Sequence, residues 1–140
     1  MIKELKKEMI DKITDLNIKA YYTTSKIARR YKRSERKDFI NMTFKQGKIF
    51  GYFKEGELIG VIGIAIDKKF KSGEMRHLFV NQEYRNKGIG KELLNFIEKY
   101  ARKIKLKRIK LDVLADNNTA INFYNKRKYK IYAYKMEKWL

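Results

Sequence analysis

Chemistry is concentrated in one short run, Arg85-Asn86-Lys87-Gly88-Ile89-Gly90-Lys91. Two glycines one residue apart let the backbone turn sharply and approach a ligand closely. An apolar set at Ile89, Leu93, Phe96, Ile97, Tyr100 and Ile104 follows at helical spacing, so the turn opens a helix. The first amides of a helix have no intrahelical acceptors, and with the positive end of the helix dipole they attract an anion. Arg85, Lys87 and Lys91 add formal charge around that point. A diphosphate is the natural guest.

Spacing tests two other phosphate motifs. A Walker A loop would need glycine at 85 and Ser or Thr at 92, where the chain has Arg85 and Glu92; it fails. A dinucleotide fingerprint would need a third glycine at 93, which is Leu93, and fails too.

The elements that must position this turn can be read on either side of it. Met9, Ile13, Leu16 and Ala20 predict a helix over 7–22. Ser34 is placed to cap a second helix. Ile49 to Phe53 and the nearly all-apolar run Leu58 to Ile66 flank Glu55-Gly56. They predict a hairpin whose second strand is buried on both faces. Glu74 to Val80 is a strand leading into the glycine turn. Arg108 to Leu114 is a strand by its alternation, a short helix follows around Ala120 to Tyr124, and Tyr129 to Trp139 reads as a final strand. The order predicts an α+β fold with a mixed, mostly antiparallel central sheet flanked by helices and one parallel βαβ crossover. No repeat or linker divides the chain, so 1–140 is expected to be one domain.

The segment Leu78-Phe79-Val80-Asn81-Gln82-Glu83-Tyr84-Arg85-Asn86-Lys87-Gly88-Ile89-Gly90-Lys91 resembles the acetyl-coenzyme A (acetyl-CoA) motif of the GCN5-related N-acetyltransferases, the GNAT family, with its Arg/Gln-x-x-Gly-x-Gly/Ala core. Asn117-Asn118-Thr119-Ala120-Ile121-Asn122-Phe123-Tyr124 is similar to the same family's Asn-x-x-Ala-x-x-x-Tyr helix, in the family's order and spacing. The resemblance covers about residues 48–139. Where the family usually has Gly-Phe after that helix, this chain has Lys128-Tyr129.

The resemblance implies an N-acetyltransferase. Its co-substrate would be acetyl-CoA and its acceptor an amine on a protein N-terminus, a lysine or a small molecule, attacked directly in a ternary complex. It implies cofactor contacts from Leu78, Phe79, Val80, Arg85, Asn86, Lys87, Gly88, Ile89, Gly90, Lys91, Asn117 and Tyr124, with Leu78 and Val80 acting through their backbone. It implies Tyr124 as the acid for the leaving sulfur. Glu74 corresponds to the carboxylate that some members use as general base. His77, the only histidine, lies on the strand face opposite Leu78 and Val80 and is expected to pack there.

Composition bounds the alternatives. With no cysteine, disulfides, thiolate zinc sites and cysteine nucleophiles are excluded; no metal site is expected. The charged start MIKELKKEMIDK lacks the apolar core of a signal peptide, no apolar run is long enough to span a membrane, and a cytoplasmic monomer or homodimer is expected. A net charge of +19, from 35 Lys and Arg against 16 Asp and Glu, attracts anions. A basic nucleic-acid-binding or ribosome-associated module is thus the alternative, less favoured because no RNP sequence, zinc pattern or helix-turn-helix signal is present. A non-catalytic acetyl-CoA-binding protein is the other. Basic runs at 26–37 and 102–110 read as solvated faces, as a wall facing acidic acceptors, or, for the second, as neighbours of the adenosine 3′-phosphate.

Overall fold

The computed structural model describes residues 1–140. Its elements in chain order are β1 (Ile2–Glu4), α1 (Ile10–Tyr22), α2 (Arg33–Gln46), β2 (Gly47–Lys54), β3 (Glu57–Asp67), β4 (Ser72–Val80), α3 (Ile89–Lys103), β5 (Arg108–Leu111) and α4 (Asn118–Lys126). The five strands lie side by side in sequence order. All neighbours are antiparallel except β4 and β5, which run parallel and are joined by the α3 crossover. The fold is the α+β architecture the residue pattern calls for. No helix is long and apolar enough to cross a membrane.

β3 is the middle strand, and every residue from Leu58 to Ala65 is buried. Its apolar run has no polar face because helices cover both sides of the sheet. On one side, Ile89, Leu93, Leu94, Ile97 and Ala101 of α3 pack on Phe50, Ile59, Ile62, Ile64 and Met75. On the other, Ile13 and Ala20 of α1 and Ile40 of α2 pack on Ile49, Leu58, Val61 and Phe79. Emptying a fully buried side chain such as Leu93 would cost about 2–5 kcal/mol.

The structure corrects the sequence reading at four places. The second helix is capped two residues earlier than Ser34: Lys32 is its N-cap and the Glu35 carboxylate accepts from the Lys32 amide at 3.0 Å. Glu35 satisfies that orphan donor, and Ser34 is left inside the first turn. A short strand, β1, pairs with β2 through Ile2↔Tyr52; its charged sequence carries no strand signal. β5 stops at Leu111 and not at Leu114, because the last β4 partner it finds is Met75. The final strand over 129–139 does not form. No backbone hydrogen bond involves residues 130–140. Alternation gathers Tyr132, Tyr134 and Met136 on one face between lysines, but no strand edge pairs with the segment and these side chains stay exposed. Side chains alone hold this segment down. Arg108 stacks on Tyr132 at 5.3 Å, Lys135 pairs with Asp112, and Arg30 pairs with Glu137 and lies 5.6 Å from the Trp139 ring.

Candidate functional site

The site begins with a fault in β4. Val61 pairs with Phe79 and Gly63 with Arg76, so His77 and Leu78 together oppose Ile62. This is a β-bulge, with one extra residue on the β4 side. His77 takes the left-handed conformation there, φ 60°. Its ring is buried, stacks edge-on with Phe39 at 4.8 Å and shares a 2.8 Å hydrogen bond between Nε2 and Thr43 Oγ1. Gly63 makes the room: a Cβ there would sit 3.3 Å from the His77 ring and 3.2 Å from the Arg76 carbonyl. Burial, with Arg76 and Arg36 nearby, pushes the His77 pKa down to about 3. The histidine packs, as its strand position predicts, and it stays neutral.

Beyond the bulge β4 has no partner on its β5 side, since pairing ends at Met75↔Leu111. Phe79 is paired with Val61 of β3, so strand alternation directs the main-chain groups of Leu78 and Val80 into the open gap. Two of these groups have partners. The Tyr21 hydroxyl donates to the Leu78 carbonyl at 3.0 Å, and Arg85 Nε donates to the Val80 carbonyl at 3.2 Å.

The gap runs on into the glycine turn. Asn86 and Gly88 are both left-handed, φ 62° and 81°, and Gly88 is the N-cap of α3. The amides of Asn86 to Lys91 have no backbone acceptor; the first helical bond is Glu92 N–H to the Gly88 carbonyl at 3.0 Å. Ile89 spends its side chain in the core, leaving only its amide at the turn. Gly90 faces Phe123 of α4, 3.7 Å from where its Cβ would be. Lys91 is exposed and Lys87 lies over the Tyr84 ring at 5.6 Å. Arg85 points inward. Besides Val80 it donates to the Ala20 carbonyl at 3.0 Å, tying the end of α1 to the turn, and burial lowers its pKa. Its charge is present, but its guanidinium is committed to carbonyls.

On the α2 side the gap opens into a cleft of about 480 Å³ lined by Tyr21, Arg36, Phe39, Glu74 to Leu78, Asp112 to Leu114, Asn117 and Tyr124. Asn117 caps α4, its side chain accepting from the Ala120 amide at 3.2 Å. Burial, with Tyr21 and Tyr129 nearby, holds the Tyr124 pKa well above the ordinary tyrosine value. The Tyr124 hydroxyl makes no hydrogen bond to the protein and is not sealed from the cleft. It is a neutral O–H donor with nothing yet to donate to. Glu74 lies at the cleft edge, its Oε1 held 3.0 Å from Arg76 Nε.

The sequence-predicted residues thus fall into two groups joined by α4: Leu78 to Val80 with 85–91 along the gap, and Glu74, Asn117 and Tyr124 around the cleft. Three participants carried no motif. Tyr21 packs on Phe79 at 5.9 Å, and burial raises its pKa to about 12. Arg36 donates to Asn17 at 2.7 Å and to the Ala28 carbonyl at 2.6 Å, lying among Tyr21, Tyr22 and Tyr31. Asp116 accepts from Ser25 Oγ at 2.6 Å and from the amides of Lys26 and Ile27 at 2.8 and 3.2 Å, which lowers its pKa. That clasp joins the two sides of the cleft mouth. A helix-face clue existed only for Tyr21, four residues after the polar Asn17 on an otherwise apolar stripe.

Comparison with known proteins gives this geometry a setting. The sequence pattern described as the acetyltransferase (GNAT) family matches residues 10–129. The uncharacterised protein YdhI of Bacillus subtilis (strain 168) is 39% identical over 80 residues, 57% of this chain and 48% of that protein. The match therefore spans about half the length of that relative. Among solved structures, a putative acetyl transferase from Pyrococcus furiosus superposes with a TM-score of 0.81 at 28% identity, covering 100% of this chain and 99% of that one. The PaiA N-acetyltransferase from Thermoplasma acidophilum, solved in complex with coenzyme A, superposes with a TM-score of 0.79 over 96% and 92% of the two chains. At 24% identity that second likeness is one of fold alone.

Proposed function

Because the chain belongs to the GNAT family of acetyltransferases, we propose that it transfers the acetyl group of acetyl-CoA to an amine held in the same ternary complex. The observation that carries this reading is the run of unsatisfied amides from Asn86 to Lys91 at the N-terminus of α3, continuous with the open edge of β4. Those amides, with Lys87 and Lys91, suit a diphosphate. The edge groups of Leu78 and Val80 suit an extended amide-bearing arm that adds to a strand.

Acetyl-CoA supplies an activated acyl thioester. The protein's own groups do the rest. Main-chain amides of the unpaired β4 edge, fixed by the bulge at His77, would donate to a thioester carbonyl as it builds negative charge; a preorganised donor of that kind is worth about 3–4 kcal/mol. Tyr124 holds its proton at neutral pH and donates it to the departing sulfur. Glu74, oriented by Arg76 at the cleft edge, receives the proton that the amine loses, directly or through water. The new C–N bond forms as the C–S bond breaks, with one proton moving in at Tyr124 and one out at Glu74. The cleft admits an acceptor from the α2 side while the gap takes the donor from the α3 side, so alignment comes from two separate entrances.

Turnover against a broad panel of amines, with mass detection of products, tests this. The expected result is an N-acetyl product from at least one amine class, formed in step with free CoA. Tight acetyl-CoA binding with no product from any class would contradict the enzyme reading and leave a non-catalytic binder.

A further inference from the structure

Two basic runs stand out in the chain, and the structure treats them differently. The first, over 26–37, is largely engaged. Arg33 and Lys37 pair with Asp11 and Asp15, Arg30 pairs with Glu137, and Arg36 and Arg29 donate to neighbouring groups. The second run spans the last turn of α3, the loop after it and the start of β5, beside the β3–β4 turn. The Lys107 amide donates to the Lys71 carbonyl at 2.7 Å, and Arg108 pairs with Ser72 in the sheet. Together these two segments carry Lys68, Lys69, Lys71, Arg102, Lys103, Lys105, Lys107 and Arg108, all exposed, against the single carboxylate of Asp67. None of the eight cations makes an ion pair. Asp67 is itself engaged within its own turn, accepting from the Phe70 amide at 3.1 Å.

A generally lysine-rich composition does not account for this. Over the whole chain the ratio is 35 to 16; here it is eight to one. The negative end of the α3 dipole accounts for Arg102 and Lys103 in its last turn, but not for the cations at 68, 69, 71, 105 and 107. At the centre stands Phe70, 71% exposed and touched on its ring by Lys69 at 5.6 Å. The Phe70 ring, with the exposed Tyr132 ring under Arg108, stands among cations without ion pairs and matches the stacking platform and backbone-tracking charge of proteins that hold single-stranded nucleic acid. A membrane-binding face would need several apolar anchors in one plane; here Ile104 is only 36% exposed and the Tyr132 ring is covered on one face by Arg108.

We propose that the β3–β4 turn and the α3–β5 loop form a docking surface for single-stranded nucleic acid, with phosphates on the lysines and a base on Phe70. The surface lies at the C-terminal end of α3, about 20 Å along that helix from the glycine turn. Bound nucleic acid therefore leaves the donor gap free, and the surface stands or falls independently of the proposed transfer reaction.

The test is equilibrium binding of a fluorescein-labelled oligouridylate to the full chain at several salt concentrations. The affinity should fall with salt at a log–log slope of about −3 to −6, as expected for five to eight neutralised phosphates on a single strand. Lys69→Gln/Lys71→Gln/Lys107→Gln should weaken binding tenfold or more and flatten the slope by about 2. Phe70→Ala should weaken binding roughly tenfold at every salt concentration and leave the slope unchanged. Lys7→Gln/Lys12→Gln/Lys19→Gln removes the same charge from the exposed side of α1 and the turn before it and should change affinity less than twofold. Acetyl-CoA affinity, measured on each variant, reports that the fold is intact. Equal weakening by the two triple variants would overturn the proposal, since binding would then follow net charge alone. So would an unaffected loop triple, or preferential binding of polyglutamate or anionic phosphatidylserine vesicles over the oligonucleotide.

Discussion

Two side chains decide whether the cleft is a catalytic site or only a packed corner. Tyr124 is half-buried, neutral and without a protein partner for its hydroxyl. If it is the acid, Tyr124→Phe should lower kcat by roughly 10–1,000-fold while acetyl-CoA affinity stays within about twofold. Steady-state kinetics beside calorimetry would separate the two, and an unchanged kcat with chemistry rate-limiting would reduce the tyrosine to packing. His77 makes a different prediction. Its folded pKa is pushed down to about 3, whereas the unfolded chain takes up a proton near pH 6.5. Stability is therefore full above pH 6.5 and declines as pH falls towards 3, by up to about 1.4 kcal/mol per pH unit. Urea unfolding at pH 7 and pH 5 should show that loss in the wild type and a much smaller one in His77→Gln. The motif residues around 85–91 and 117–124 were legible because backbone demands at a glycine turn and a helix cap leave a sequence signature. The partnership of His77 with Thr43, and of Tyr21 with the Leu78 carbonyl, was not. Each joins residues more than thirty positions apart, and no local pattern encodes such a pairing.

At the scale of elements, helices and buried strands were readable from periodicity, and the failures cluster where pairing depends on a distant partner. β3 and α3 each carry a continuous apolar signal and form as expected. β1 forms without such a signal, because the edge of β2 offers it a ladder. The segment after Tyr129 has β-forming residues and a short apolar set at Tyr132, Tyr134 and Met136, but it finds no strand edge to pair with and makes no ladder. The turn before it is left-handed despite its lysine: Lys128 has φ 69°. That conformation costs a non-glycine residue about 1–2 kcal/mol. Lys128→Gly should therefore raise the melting temperature by a few degrees, measured by calorimetric scanning, and an unchanged or lower value would contradict the strain. Asp116 acts between elements. Its carboxylate holds the amides of Lys26 and Ile27, so Asp116→Ala should speed hydrogen exchange at those two amides by tenfold or more and leave α3 protected.

Taken as a whole, the molecule is a twisted sheet that opens between β4 and β5, with a helix N-terminus aimed into the opening. The α+β class and the crossover were predictable because the order of strands and helices leaves few connections open. The direction from which an acceptor enters was not, since the cleft is built where α1, α2 and the β5–α4 loop converge. Net charge alone also said little about where anions go: the cations of the first basic run are largely engaged, and Arg102, Lys103, Lys105, Lys107 and Arg108 of the second make no ion pair. The central claim is that an acyl donor with a diphosphate sits on the amides of Asn86 to Lys91. Gly90→Glu tests it most directly. A Cβ at this position meets only the Phe123 ring, at an ordinary 3.7 Å, and Val80 Cγ2 at 4.0 Å, so the fold should survive while a carboxylate is set against the phosphates. Calorimetric titration of acetyl-CoA should give saturable binding to the wild type and no measurable binding to the folded variant. An unchanged affinity in Gly90→Glu, with circular dichroism matching the wild type, would contradict it.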